Sequence, residues 1–136
     1  MSREIKFRAW DTRDKEMHYR AEHAYDCGAY YDVYIDVSCF GEILDDERYI
    51  VEQYTGLKDK NGKEIYEGDI IKVDNDKLAI PYENKTEASE VFYSNFKTAF
   101  VYRTWYGEIP VGRHDTSVEV IGNIHENPEL LGDEKC

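Results

Sequence analysis

The chain has 136 residues, 41% of them hydrophobic and 14% aromatic, and its formal net charge at pH 7 is −12. This length predicts one compact unit, and the acidic surplus argues against generic nucleic-acid binding, because affinity for phosphates comes mainly from Lys and Arg. No apolar leader opens the sequence and no window approaches the ~18 apolar residues of a membrane helix, so we expect a cytoplasmic protein.

The first half of the sequence predicts short strands. Ile5, Phe7 and Ala9 alternate with polar or larger side chains, as in a strand at a sheet edge, and residues 11–14 are typical of a turn. Residues 43–47 contain three consecutive acids and predict a solvated bend, whereas residues 20–28 have no clear pattern. Strands are expected at residues 4–10, 17–19, 31–37 and 48–54.

The second half predicts further strands separated by tight turns. Asn61-Gly62 predicts a hairpin-like turn because both residue types accept positive φ, and Glu67-Gly68-Asp69 predicts another. Residues 127–131 predict a short terminal helix, since Asn127 can cap it and Pro128 suits its first position. Strands are expected at residues 70–73, in two runs within 91–105 around Ser94-Asn95, and at 118–121, with a long loop over 74–90 and a connection over 107–117.

Three sequence blocks resemble the signature of the YopX family: FRAWD at residues 7–11, QYTGLKDKNGKEIYEGDII at 53–71 and IGNIHENP at 121–128. They occur in the same order and span nearly the whole chain. The positions carrying the resemblance are expected to be structural: Trp10, Tyr54, Thr55, Gly56, Leu57, Asp59, Asn61, Gly62, Gly68, Asp69, Gly122, Asn123, Asn127 and Pro128.

The resemblance implies a phage or prophage protein of a bacterial host, in a family to which no activity is assigned and whose members form homo-oligomers. It also implies an SH3-type β-barrel in the C-terminal half. We therefore expect a mainly β fold with minor α content, as a single YopX-like unit (1–136) with two lobes: a strand region over 1–54 and a barrel-like region with the short helix over 55–136. Short strands joined by tight turns independently favour a small closed sheet.

Two ligand-binding motifs are excluded by spacing in the segment from Gly56 to Glu64. A phosphate-binding loop needs four residues between its glycines, but Gly62 follows Gly56 after five, and Glu64 stands where Ser or Thr should hold magnesium. An EF-hand loop aligned on Gly62 has Leu57 at its first ligand position and Gly68 at its last. A turn accounts for the whole segment, so no nucleotide or calcium is expected.

No catalytic set is recognisable. Gly68-Asp69 is typical of a turn whose carboxylate binds nearby amides, and Glu64 and Glu67 lack any sequence sign of an apolar pocket that would make either a general acid. His23, Cys27 and Cys39 could supply three ligands of a metal site, but no fourth can be named. With Cys136, the two cysteines form an odd set typical of reduced thiols. We therefore expect no enzyme, cofactor or metal.

Two surfaces could contact a partner. Lys58, Lys60 and Lys63 make a basic turn that either binds an acidic partner or simply keeps the turn soluble. Aromatic residues could form a second surface, although aromatics in strands more often belong to the core: Trp10, Tyr102, Trp105 and Tyr106.

The leading functional hypothesis is a non-enzymatic phage accessory protein that binds another protein and acts as a homo-oligomer. A variant of it is an acidic DNA mimic that inhibits a host protein through Asp45, Asp46 and Glu47. The alternative class is a single-stranded nucleic-acid-binding small barrel that uses the basic turn and exposed aromatics. An enzyme would need a pocket of convergent polar groups.

Overall fold

The computed structural model describes residues 4–26, 40–74, 88–104, 107–112 and 117–131. The chain divides into two compact units, Met1–Tyr54 and Thr55–Cys136. Strands dominate the described residues, so the prediction of a mainly β protein with minor helix is confirmed. The SH3-type arrangement of the C-terminal half stays a prediction. No helix in the described ranges is long and apolar enough to cross a membrane.

The first unit contains an antiparallel sheet with the strand order β2-β1-β3. Its strands are β1 (Phe7–Asp11), β2 (Glu16–Tyr19) and the first part of β3 (Tyr49–Lys58), and Ala9 of β1 lies between His18 and Val51. The predicted turn is confirmed, because Asp11 Oδ1 accepts the amides of Arg13 and Asp14 at 2.9 and 3.1 Å. The predicted returning strand is confirmed as β2, which pairs with β1. The position of β1 differs from expectation: it is the middle strand, not an edge.

Two short helices complete the first unit: a 3₁₀ helix at Ala21–Asp26 and α1 at Phe40–Asp45. The solvated bend predicted at 43–47 is wrong, because Ile43 is fully buried in α1. Phe40 and Ile43 are three residues apart and therefore share the helix face that packs on the core. The core of this unit is formed by Ala9, Ala21, Ile43 and Tyr49, with Phe7, Phe40 and Val51 packed against it. The strand predicted at 31–37 lies outside the described residues.

The second unit contains a five-stranded antiparallel sheet with the order β8-β7-β6-β5-β9. Its strands are β5 (Asp69–Asp74), β6 (Ala88–Ser94), β7 (Ala99–Thr104), β8 (Gly107–Pro110) and β9 (Ser117–Asn123). Residues 55–58 of β3 neighbour β4 (Glu64–Tyr66), and a 3₁₀ helix at Pro128–Leu131 follows β9. The buried core residues are Ile65, Ile71, Val73, Val91, Tyr102, Ile109, Val111 and Val118.

The predicted strands of the second unit are found, and three boundaries differ. The connection predicted at 107–117 contains β8, which pairs with β7 through Tyr102 and Ile109. The loop predicted at 74–90 is shorter at both ends, because β5 includes Asp74 and β6 begins at Ala88; residues 75–87 lie outside the described part. Phe96 belongs to the turn after β6, where it is 90% exposed, and not to a strand.

Candidate functional site

The turn between β3 and β4 is organised by one carboxylate, that of Asp59. Its Oδ1 accepts the amides of Asn61 at 2.8 Å and Lys63 at 2.9 Å, and its Oδ2 accepts the amide of Val120 in β9 at 2.9 Å. The Asp59 side chain is buried, and the main chain closes the turn through Asp59 N–H donating to Lys63 O. Burial alone would raise the pKa of Asp59, but the three donated N–H groups and the nearby Lys63 lower it below its ordinary value.

The neighbouring motif positions also serve the backbone. Thr55 Oγ1 donates to Ile65 O at 2.8 Å and accepts the Leu57 amide at 3.2 Å, which joins β3 to β4. Gly62 has φ +87°, a conformation that L side chains rarely adopt, so it is the residue that requires glycine in the predicted Asn61-Gly62 turn.

The turn between β4 and β5 likewise combines a glycine at positive φ with an aspartate that accepts a backbone amide. Gly68 has φ +84°, and Asp69 Oδ2 accepts the Tyr66 amide at 2.8 Å. Gly68 N–H donates to Val91 O and its carbonyl accepts the Ile124 amide, so this turn connects β6 with the end of β9. The Asp69 carboxylate therefore bonds a nearby amide, as the turn reading of Gly68-Asp69 predicts.

The third motif block forms a hydrogen-bonded corner after β9. Asn123 is buried, its Oδ1 accepts the amides of His125 and Glu126 at 3.0 and 2.9 Å, and its Nδ2 donates to Glu126 Oε1. Asn127 Oδ1 accepts the Asn123 amide at 3.2 Å. A Cβ on Gly122 would lie 2.6 Å from Asn127 Oδ1. The corner therefore leaves no room for a side chain at position 122.

A family model described as YopX protein matches residues 6–132. The chain belongs to the YopX family. It is similar to protein EF1440 from Enterococcus faecalis, with 31% identity and a TM-score of 0.62, over 96% of this chain and 99% of that chain. It is also similar in fold to protein yopX from Bacillus subtilis, with 23% identity and a TM-score of 0.58, over 93% and 97% of the two chains. No curated protein matches the chain.

The blocks that carry the YopX resemblance therefore build turns and corners in this chain. The carboxylates of Asp59 and Asp69 and the amide oxygen of Asn123 accept backbone N–H groups. Side chains of Trp10 and Tyr54 are buried in the first unit.

The basic turn of this YopX chain is exposed at Lys58, Lys60 and Lys63. Lys60 Nζ lies 3.9 Å from Glu119 Oε1, and both side chains are substantially exposed, so this ion pair contributes little to stability. The turn is held against β9, because Lys60 N–H donates to Val118 O at 3.0 Å.

Three aromatic side chains that sequence reasoning missed lie in the turn between β6 and β7 and on the strands that it joins. Phe96 is 90% exposed, Tyr93 is 43% exposed, and the Tyr93 ring meets the Phe100 ring edge-on at 5.2 Å. Ser94 Oγ accepts the Lys97 amide at 3.1 Å and donates to Glu108 Oε1 at 2.8 Å. We call Tyr93, Phe96 and Phe100 the aromatic tip. Phe96 among the polar turn residues Ser94, Asn95, Lys97 and Thr98 is the signal that could have identified it.

The aromatic tip and the basic turn lie towards opposite ends of the five-stranded sheet. Ile70 pairs with Glu90, so β6 continues beyond the start of β5 towards the tip. The basic turn instead contacts Val118, which pairs with Val73 near the other end of β5. They are therefore two separate surfaces.

Of the aromatic residues considered from the sequence, Trp10 and Tyr102 are buried. Trp105 and Tyr106 lie outside the described residues. The exposed aromatic side chains are different ones, and they include Tyr93 and Phe96 of the aromatic tip and Tyr19 of β2.

Charged side chains of the first unit pair with each other. Arg48 binds Asp11 through Nε at 2.8 Å and a terminal nitrogen at 2.6 Å, and it contacts Asp14 at 3.1 Å. The Arg48 guanidinium holds the pKa of Asp11 well below its ordinary range. Arg8 and Glu52 form a buried ion pair at 2.7 Å between β1 and β3. These pairs tie strands together.

Of the three candidate metal ligands considered from the sequence, only His23 lies among the described residues. Arg20 lies 3.0 Å from the His23 ring nitrogen Nδ1, while Cys27 and Cys39 lie outside the described residues. Within the ranges that the structure describes, no three His, Cys, Asp or Glu side chains are grouped to hold a metal ion. Of the acidic run, Asp45 and Glu47 are exposed, and Asp46 Oδ1 accepts the Arg48 amide at 2.9 Å.

Proposed function

We propose that this YopX chain is a non-enzymatic protein-binding module, encoded by a phage or prophage and acting as a homo-oligomer. The observation that carries the proposal is Phe96, which is 90% exposed on the aromatic tip. Exposed aromatic rings on a preorganised element are typical anchors of protein interfaces, because they bury much apolar area at a low entropic cost.

The geometry around Phe96 supports an anchor role. Ser94 is buried and bonds both the Lys97 amide and Glu108, which limits the conformations of the turn before any partner arrives. A loop already ordered in its bound conformation loses less entropy on binding. Tyr93 and Phe100 pair across β6 and β7, the two strands that the turn joins, and their rings meet edge-on.

Affinity capture with the full chain tests the binding part of this proposal. The wild-type chain is immobilised beside two matched variants, Phe96→Ser on the tip and Leu44→Ser, which removes another exposed apolar side chain, 56% exposed, from the first unit. We expect a host or phage protein to be retained by the wild type and by Leu44→Ser, and to be lost with Phe96→Ser. Retention of the same protein by Phe96→Ser would contradict a role for the tip.

Light scattering tests the oligomer part separately. One chain has a mass of 16.0 kDa, so a homo-oligomer is expected to give the mass of two or more chains at micromolar concentration. A mass of one chain over the whole concentration range would remove the oligomer from the proposal and leave the binding role in place.

Single-stranded nucleic acid is the competing partner class. The net charge of −12 opposes binding to phosphates. The basic turn and the aromatic tip lie towards opposite ends of the five-stranded sheet, which does not favour one groove that combines basic and stacking side chains. We expect no binding to single-stranded DNA or RNA at low salt. Salt-dependent binding that is weakened by replacing Lys58 and Lys63 with Gln would favour the nucleic-acid class instead.

A further inference from the structure

Asn61-Gly62 is the one Asn-Gly dipeptide in the sequence, and both residues are exposed in the turn between β3 and β4. An asparagine followed by glycine is where the chain cyclises with least steric hindrance, since glycine has no side chain to obstruct the attack. The space around Gly62 is also open, because an added Cβ there would meet no heavy atom within 4 Å. The pair therefore has the chemical and steric requirements of a deamidation site.

The reaction needs only water and a base. Gly62 N loses its proton to hydroxide and attacks Asn61 Cγ, so that an N–Cγ bond forms and the Cγ–Nδ2 bond breaks. The leaving nitrogen takes a proton from water, which regenerates hydroxide and releases ammonia. Water then adds to either carbonyl of the resulting succinimide and opens the ring, giving aspartate or isoaspartate. One water is consumed and one ammonia is released, and no oxidant or cofactor is required.

Asp59 opposes this reaction in the folded chain. The main-chain carbonyl of Asp59 accepts the Gly62 amide at 2.9 Å. The side-chain Oδ1 of Asp59 accepts the amides on either side of Gly62, those of Asn61 and Lys63. Its Oδ2 ties the turn to Val120 at 2.9 Å. Gly62 N must release its hydrogen bond and rotate towards Asn61 Cγ before it can attack, so cyclisation requires local opening of the turn.

We propose that Asn61 is a spontaneous deamidation site and that the Asp59 carboxylate guards it by holding the turn closed. Deamidation places a new negative charge between Lys60 and Lys63, and isoaspartate inserts an extra backbone atom into a turn held by hydrogen bonds on both sides. The modification therefore lowers the positive charge of the basic turn by one and misaligns its backbone. This site does not depend on the aromatic tip and stands or falls separately from the proposed function.

The test compares rates of deamidation in the full chain. Wild type is incubated at mildly alkaline pH in buffer and in guanidinium, and the fragment containing Asn61 is followed by mass spectrometry and by enzymatic methylation of isoaspartate. We expect the native rate to be at least about 10-fold below the denatured rate, because opening of the turn precedes attack. Equal rates in the two states would overturn the guarding role.

Variants identify the guard. Asp59→Ala is expected to raise the native rate several-fold, whereas Asp45→Ala, which removes an exposed carboxylate elsewhere, should leave it unchanged, and Asn61→Gln should abolish the isoaspartate signal. If Asp59→Ala does not fold, amide hydrogen exchange of wild-type Gly62 decides instead. Protection of that amide supports the proposal, and exchange at the open-chain rate overturns it.

Discussion

Asp59 illustrates how a short acidic side chain becomes structural. Its two oxygens accept three backbone amides, two from the turn that contains it and one from Val120, 61 positions away in sequence. The Asn61-Gly62 turn can be predicted from sequence because positive φ is a local property of Gly62. The bond to Val120 cannot, since it depends on where β9 lies after folding.

The pH dependence of stability provides the first prediction at this scale. In Asp59→Asn, the amide nitrogen that replaces one carboxylate oxygen cannot accept a hydrogen bond, so unfolding free energy at pH 7 should fall by about 1–3 kcal/mol. Because folding lowers the pKa of Asp59, its stabilisation is present above the ordinary value of 3.8 and is lost as the pH falls through the lower folded value.

Urea unfolding from pH 2 to pH 7 is the measurement for this variant. The stability difference between wild type and Asp59→Asn should shrink once the pH drops below about 4, because the wild-type carboxyl then takes up a proton. Asp45→Asn, at an exposed position, serves as the matched control. A difference that stays constant across this range would mean that the carboxylate charge does not matter.

At the scale of elements, the strands with strong local patterns were predicted, whereas β8 and α1 were not. Residues 70–73 lie within β5, where Ile70, Ile71 and Val73 are buried, and the two runs around Ser94 form β6 and β7. β8 has only four residues, one of which is proline, and it is defined by pairing with β7 rather than by its own composition. α1 was missed because it contains acidic residues and buries a single side chain, that of Ile43, which is too few for a recognisable helical pattern.

Packing of the terminal 3₁₀ helix (Pro128–Leu131) against β9 gives an element-scale prediction. A Cβ at position 122 would lie 2.6 Å from Asn127 Oδ1 and 2.8 Å from Leu130 Cδ1, so Gly122→Ala must displace this helix or strain the corner. We expect a loss of about 1–3 kcal/mol in thermal or urea unfolding.

Gly112→Ala is the matched control for this packing. Its Cβ would meet the flexible end of Leu57 at 3.3 Å, so the expected change is about 0.5 kcal/mol or less. If Gly122→Ala were as stable as Gly112→Ala, the tight corner would not be a feature of the protein in solution.

For the whole molecule, charge is the dominant property read from composition. A net charge of −12 on 136 residues produces self-repulsion that opposes the compact state. Raising NaCl from about 0.01 to 0.15 M shortens the Debye length from about 30 to 8 Å and screens this repulsion. We expect the melting temperature to rise by about 2–4 °C, which corresponds to about 1 kcal/mol or less.

Charge reversal at an exposed acid is the control for this effect. Glu47→Lys changes the net charge from −12 to −10, because it removes one negative charge and adds one positive charge. The variant should melt higher than wild type at low salt and respond less to added NaCl. A melting temperature that falls with salt would show that attractive pairs, such as Asp11 with Arg48, dominate instead.

The sequence by itself determined the family, the mainly β class and the positions of the glycine turns, because these depend on local φ preferences, alternation of side chains and recognisable blocks of residues. Tertiary structure alone decided which polar side chains bond to the backbone and which apolar side chains stay exposed. Asp59 accepts the Val120 amide, Asn123 supports the corner after β9, and Phe96 is exposed on a turn. The physical reason is that hydrogen-bond partners and solvent exposure are set by strands far apart in sequence, whose pairing no local pattern encodes.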